Sequence, residues 1–281
     1  MPLDESRVRN FDFTDVPVKV QSMEAMFYAL SLGIGADPLE ERTLRYAYER
    51  DLQVFPTMPL VLGSPGLWFE KAGLDFRKLV HGAQNLELHS SLPLDTDLVA
   101  RSKVVGLWDR GADKGAVVDV ERKLQRPDGT VIASLTSTYA LRGDGGFGGT
   151  PPERDDWARP ERAPDWESLL PILPQAALLY RLNGDMNPLH ADPERAKAVG
   201  FERPILHGLC SFAMVSRGLM EPFSPHSPES LQAISARFSR PVYPGETLRV
   251  RCWREADEVL FEASVEERDI VVLSGGRACF G

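Results

Sequence analysis

The same order of segments occurs twice in this chain, an apolar helix-like run followed by four strand-like runs, on either side of GDGGFGGTPPERDDWARPERAP at residues 143–164. In that interval glycine, proline and charge displace apolar periodicity, as expected of a connection between folding units. Before it, MEAMFYALSL (23–32) is a helical candidate, and PLVLGSPGLWFEKA (59–72) is a second one interrupted by glycine. LELHSSLPL, DLVARSKVVGLWD, GAVVDVERKL and VIASLTSTYAL follow, β-branched or alternating, with turn signals such as Pro127-Asp128-Gly129 between them. After the interval come helical segments at 175–182 and 209–220, then ISARFSRPV, TLRVRCWRE, VLFEASVEE and IVVLSGGRAC. Each half therefore reads as an antiparallel meander curled around one apolar helix, an α+β arrangement. The expected boundaries are 1–142 for the first half, 143–164 for a linker and 165–281 for the second half. LPLDTDL (92–98) and VYPGETL (242–248) occupy equivalent places, and YALSLGIGADP from Tyr28 is a degenerate version of YRLNGDMNP from Tyr180. An ancient duplication explains the repeat; two similar domains joined by coincidence is the alternative.

A length of 281 residues suits two cores of similar size. A formal charge of -9 without a long Lys/Arg run argues against nucleic acid, which needs a basic footprint. The start, MPLDESRVRNFDF, lacks an apolar leader core, and no segment reaches the roughly 20 apolar residues that span a bilayer. The expectation is a cytoplasmic protein with no membrane partner. Cys210, Cys252 and Cys279 are odd in number and lack C-x-x-C spacing, so they read as packing residues.

Chemistry concentrates in YRLNGDMNPLHAD (180–192), where Asp185 and His190 stand in a stretch too rich in Gly, Asn and Pro for a helix. Further along, PILHGLCSFA turns from a proline into an apolar helix, so Gly208 can offer a backbone N–H at that helix's positive end. A carboxylate and an imidazole can hold and deprotonate a water, while an N–H stabilises charge on a carbonyl oxygen. The plainer reading makes these turn and cap residues, with Asn187 fixing the loop and Asp192-Pro193 opening a helix. A metal set of Asp185, His190 and Asp192 matches no usual zinc or calcium spacing. His207 reads as a packing or hydrogen-bonding residue, and His81-Gly82 as a strand-entry turn. Arg110, Lys114, Arg237 and Arg240 read as solvated charge near strand turns. No G-x-S-x-G supports a nucleophilic serine, and GGFGG lacks the Lys-Ser/Thr of a phosphate loop, so it reads as flexible linker.

YRLNGDMNPLHADPERAKAVGFERPILHGLCSFA resembles the signature of hydratase 2, the MaoC-like (R)-specific enoyl-CoA hydratases, and the hydratase domain of peroxisomal multifunctional enzyme type 2. LVHGAQ, GGFGG and ARFSRPVYPGETL extend the likeness over almost the whole chain. The resemblance implies a double hot-dog fold, two curved antiparallel sheets each around a central helix. It implies reversible hydration of trans-2-enoyl-CoA to (3R)-3-hydroxyacyl-CoA in the second half, with the first half accommodating the acyl chain. Asp185 and His190 match the catalytic pair, Asn187 supports them, and Gly208 matches the N–H donor to the thioester oxygen. His81, Gly82 and Phe238 fall at acyl-CoA contacts, and Arg110 stands where the family has a lysine, with Lys114 close by. No metal or redox cofactor is implied, and a homodimer is plausible by likeness. The rivals are a dehydratase of a branched or dicarboxylic acyl-CoA, and a non-catalytic acyl-CoA-binding protein on the same fold.

Overall fold

Ten antiparallel strands form one continuous sheet in the computed structural model, which describes residues 3–37, 39–75, 78–149, 157–223 and 230–281. In chain order the first half contributes α1 (Glu5–Arg9), β1 (Val16–Val18), α2 (Ser22–Ser31), α3 (Glu41–Leu44), α4 (Trp68–Lys71), β2 (Leu79–Leu88), β3 (Leu98–Asp109), β4 (Ala116–Gln125) and β5 (Val131–Leu141). The second contributes β6 (Trp166–Pro171), α5 (Ala176–Tyr180), α6 (Pro193–Ala198), α7 (Gly208–Phe223), β7 (Leu231–Phe238), β8 (Thr247–Arg254), β9 (Val259–Val265) and β10 (Ile270–Phe280). Their order across the sheet is β1-β3-β4-β5-β2-β7-β10-β9-β8-β6. Read outward from the β2–β7 seam, both halves repeat the same connectivity.

The expected pair of curved sheets is thus joined edge to edge. β2 pairs β5 on one side and β7 on the other, in register from Ala83 opposite Arg237 to Glu87 opposite Ala233. Pairing covers an edge that would otherwise present unmatched N–H and C=O groups. Short β1 and β6 escaped the sequence reading, because a three-residue edge strand and the sparse apolar pattern of WESLLP carry little periodic signal. β2 begins earlier than LELHSSLPL suggests. His81 and Gly82 lie inside the strand, beside an irregularity between His81 and Ala83, rather than in an entry turn.

Helix α7 is apolar around most of its surface, as a helix enclosed by sheet must be. Its one cation, the half-buried Arg217, donates to the carbonyls of Leu32 and Gly33 at 3.3 and 2.6 Å, capping the C-terminal end of α2. The matching helix of the first half, α2, is shorter, 10 residues against 16. One large apolar cluster runs through both halves, and a smaller one around Trp68, Leu107 and Val118 belongs to the first half alone. GGFGG is a correction to the sequence reading. Asp109 accepts the N–H groups of Gly111, Gly146 and Gly148 at 2.8, 2.9 and 2.5 Å, and Phe147 packs on the smaller cluster, so this stretch is anchored rather than loose. No helix among the described residues is long and apolar enough to cross a membrane.

Candidate active site

The loop between α5 and α6 is shaped by its own side chains. Gly184 takes φ +119°, which only glycine adopts without strain, and turns the chain so that Asp185 follows directly. One Asp185 carboxylate oxygen accepts the Asn187 N–H at 3.1 Å, and Asn187 in turn accepts the Leu189 N–H at 3.1 Å. Pro188 starts a single 3-10 turn that ends at His190. Asp192 then caps α6 by accepting the Glu194 and Arg195 N–H groups, which ties its carboxylate to the helix. The cap reading of Asp192 is therefore correct, and the metal set that included it is not formed.

Asp185, His190 and His207 come together instead, with one ligand-type atom from each lying within 4.8 Å of the others. Asp185 is exposed, while both imidazoles are buried. The His190 and His207 rings stack with centroids 3.7 Å apart. His190 Nδ1 lies 2.8 Å from the Ile205 carbonyl, which can only accept, so that nitrogen carries the proton and Nε2 keeps its lone pair. By the same logic His207 donates from Nε2 to the Asp185 carbonyl at 3.2 Å. His207 is thus both a packing and a hydrogen-bonding residue, as its sequence suggested, and it links the head of α7 to the Asp185 turn. Burial pushes the His190 pKa below its ordinary value, against the opposing pull of the Ile205 carbonyl and the Asp185 charge. His207 is pushed down to about 4, by burial first and by His190 second. Arg181, unnoticed in the sequence, donates to the Met186 carbonyl at 3.2 Å, and its charge disfavours protonation of both imidazoles.

Gly208 is the first residue of α7, so its N–H has no acceptor within the helix. A Cβ there would stand 3.1 Å from the Phe238 ring, a close approach that glycine alone accommodates without movement. Phe238 lies 4.9 Å, centroid to centroid, from His81, which lies 4.9 Å from Tyr139. His81 of the first half therefore meets the second half across the seam, and its electrostatic surroundings include Asp185. Burial drives the His81 pKa down to about 4, and its Nε2 has no hydrogen-bond partner among the described residues. Gly82 follows in β2 beside the Thr138 backbone. Arg110 and Lys114 are exposed on the β3–β4 turn, at the same end of the sheet but two to three strands from β2, about 10–14 Å at the usual strand spacing. The fold brings together Asp185, His190, Gly208, Phe238 and His81, and leaves Arg110 and Lys114 at the rim.

The arrangement offers a neutral imidazole lone pair and a carboxylate oxygen facing a common space, with a helix-head N–H nearby. Such a set can take a proton from water and stabilise an oxyanion. A family model described as "MaoC like domain" matches residues 156–274, and one described as "MFE-2 hydratase 2 N-terminal domain" matches residues 19–143. Enoyl-CoA hydratase ChsH3 of Mycobacterium tuberculosis is 36% identical over 282 residues, covering 98% of each chain. A MaoC-like dehydratase from Phytophthora capsici superposes with a TM-score of 0.87 at 29% identity, over 99% of this chain and 98% of the other. The full-length peroxisomal multifunctional enzyme type 2 from Drosophila melanogaster gives 0.80 at 32% identity, over 95% of this chain and 48% of the other.

Proposed function

The chain belongs to the MaoC-like enoyl-CoA hydratase 2 family, and on that premise we propose that it adds water reversibly to a trans-2-enoyl-CoA at Asp185 and His190, giving a (3R)-3-hydroxyacyl-CoA. The observation that carries the residue assignment is the convergence of the Asp185 carboxylate and the imidazole edge within 4.8 Å, beside the N-terminus of α7. Water sits between Asp185 and His190. Neutral His190 takes one proton at Nε2 while Asp185 accepts the second O–H and fixes the water's orientation. The water oxygen bonds to C3, the π electrons move toward the thioester, and the Gly208 N–H stabilises the enolate oxygen. The imidazolium then returns its proton to C2, so that one water is consumed and no other group is needed. Asn187 holds Asp185 in place through its N–H. His81, Gly82 and Phe238 contact the acyl-CoA at the seam, and Arg110 and Lys114 meet its phosphates at the rim.

Asp185→Asn and His190→Ala are each expected to slow hydration of crotonyl-CoA or a longer enoyl-CoA by about 10²-fold or more. Near-normal turnover in either variant removes that residue from the chemistry. Release of free CoA from a saturated acyl-CoA would point to a thioesterase, and binding without turnover to a carrier of acyl-CoA. Chiral analysis of the product tests the (3R) assignment. The same reading has the protein act as a cytoplasmic homodimer, which fractionation and sedimentation check separately.

A further inference from the structure

The inward face of the first-half sheet carries a polar band where a core would be apolar. Alternate residues of β4 share that face: Val118 and Val120 belong to the smaller apolar cluster, Leu124 to the larger, and Arg122 stands between them. Cross-strand register continues the band, with Val120 opposite Ser137, Ser137 opposite Gln84, and Tyr139 opposite His81. Ser137 donates to Gln84 at 2.8 Å, and Gln84 donates onward to the Asn85 and Thr136 carbonyls, so these two are satisfied. Arg122 is not. It donates from one Nη to the Pro59 and Leu60 carbonyls at 3.2 and 2.9 Å, its Nε is buried without an acceptor, and no carboxylate pairs with it among the described residues.

A half-buried cation whose Nε is enclosed and whose other bonds go only to main-chain carbonyls is costly unless an anion joins it. Its charge acts on His81, Tyr139 and Tyr180, and His81 and Tyr139 also sense Asp185, so the His81–Tyr139 pair connects the guanidinium to the water site. His81 Nε2 is a second buried polar atom without a partner on this face. Taking the hydratase reading as given, we propose that the first half selects acyl chains that themselves carry a carboxylate, and that Arg122 receives it through charge-assisted hydrogen bonds. Tyr139, close enough to feel the Arg122 charge, carries a neutral hydroxyl donor on the same face. An alkyl chain laid along this band leaves the guanidinium unpaired, whereas an ω-carboxyl chain neutralises it.

The test compares matched trans-2-enoyl-CoA pairs of equal length, one plain alkyl and one ω-carboxyl, by loss of the enoyl-thioester absorbance. The carboxyl member is expected to have the higher kcat/KM, by roughly tenfold or more at the length that reaches Arg122. Arg122→Met should erase that preference mainly through KM, and Arg122→Lys should keep part of it. Equal or poorer turnover of the carboxyl member at every length overturns the proposal while the hydratase reading stands. Absence of turnover for both members at every length overturns both. If Arg122→Met does not fold, the substrate pairs on the unaltered enzyme and on Arg122→Lys decide the matter.

Discussion

In the proposed reaction His190 serves as the base, a role that rests on where its ring is held. The Ile205 carbonyl fixes the tautomer, and burial keeps the ring neutral. Because the pKa lies below the ordinary value of about 6.5, activity that needs neutral His190 should persist into mildly acidic solution. The acid limb of kcat/KM, measured across pH, is expected below about 6.5, and a limb at or above that value would contradict the assignment. His207→Phe preserves a stacked ring but removes the donor to the Asp185 carbonyl. A fall in kcat of about tenfold is expected, with little change in melting temperature. Gly208→Ala places a methyl 3.1 Å from the Phe238 ring and should reduce kcat/KM, and adding Phe238→Leu should restore part of it. Asp185 and His190 were legible because they share one short loop whose turn residues are themselves informative. His207 packs and hydrogen-bonds as its sequence suggested, but its partner ring comes from a separate segment, and stacking between segments leaves no local pattern that could name it.

Two anchors among the elements set the positions of the site loops. Glu246, buried between β7 and β8, accepts both the Nε and an Nη of Arg268 at 2.6 and 2.8 Å and the Tyr243 N–H at 2.7 Å. The same turn offers the Val242 carbonyl to the Leu206 N–H at 2.7 Å, which fixes the chain immediately before His207. Arg268→Ala leaves a buried carboxylate with one remaining partner, and an unfolding free energy lower by about 2 kcal/mol is expected in urea titration. Loss of activity should accompany it even where the variant is folded. The second anchor, Asp109, gathers the N–H groups of Gly111, Gly146 and Gly148. Those bonds hold its carboxyl below the usual carboxylate range. Asp109→Ala should free the 145–149 loop to proteolysis while the rest of the sheet stays protected, which limited digestion would reveal. Helices α2 and α7 and eight of the ten strands could be read from periodicity. The Gly-rich loop could not, because glycine signals only permission to turn, and its anchor lies 37 residues earlier in the chain.

For the molecule as a whole, the β2–β7 seam decides what the two halves do together. It brings His81 and Phe238 into contact, so neither half alone contains the complete set of proposed contacts. The buried histidines also couple folding to pH. His81 and His207 are both pushed down to about 4, while an unfolded chain takes up protons near 6.5. The unfolded state therefore binds more protons between those values, so this stability contribution is full above about 6.5 and is lost as pH falls toward about 4. Urea midpoints should decline over that window, and His207→Phe should flatten part of the slope. A midpoint independent of pH would show that these imidazoles are not held neutral.

By itself the sequence determined the repeated α+β order, the turn chemistry of residues 180–192 and the helix that begins at Gly208. These depend on periodicity, capping and backbone freedom, which act over a few residues. Tertiary structure decided that His207 stacks on His190 and that β2 and β7 merge two sheets into one. It also decided that Arg122 faces inward without a carboxylate beside it. Each of those outcomes is a contact between residues far apart in the chain, fixed by strand register and burial, and the order of residues along one segment does not encode it.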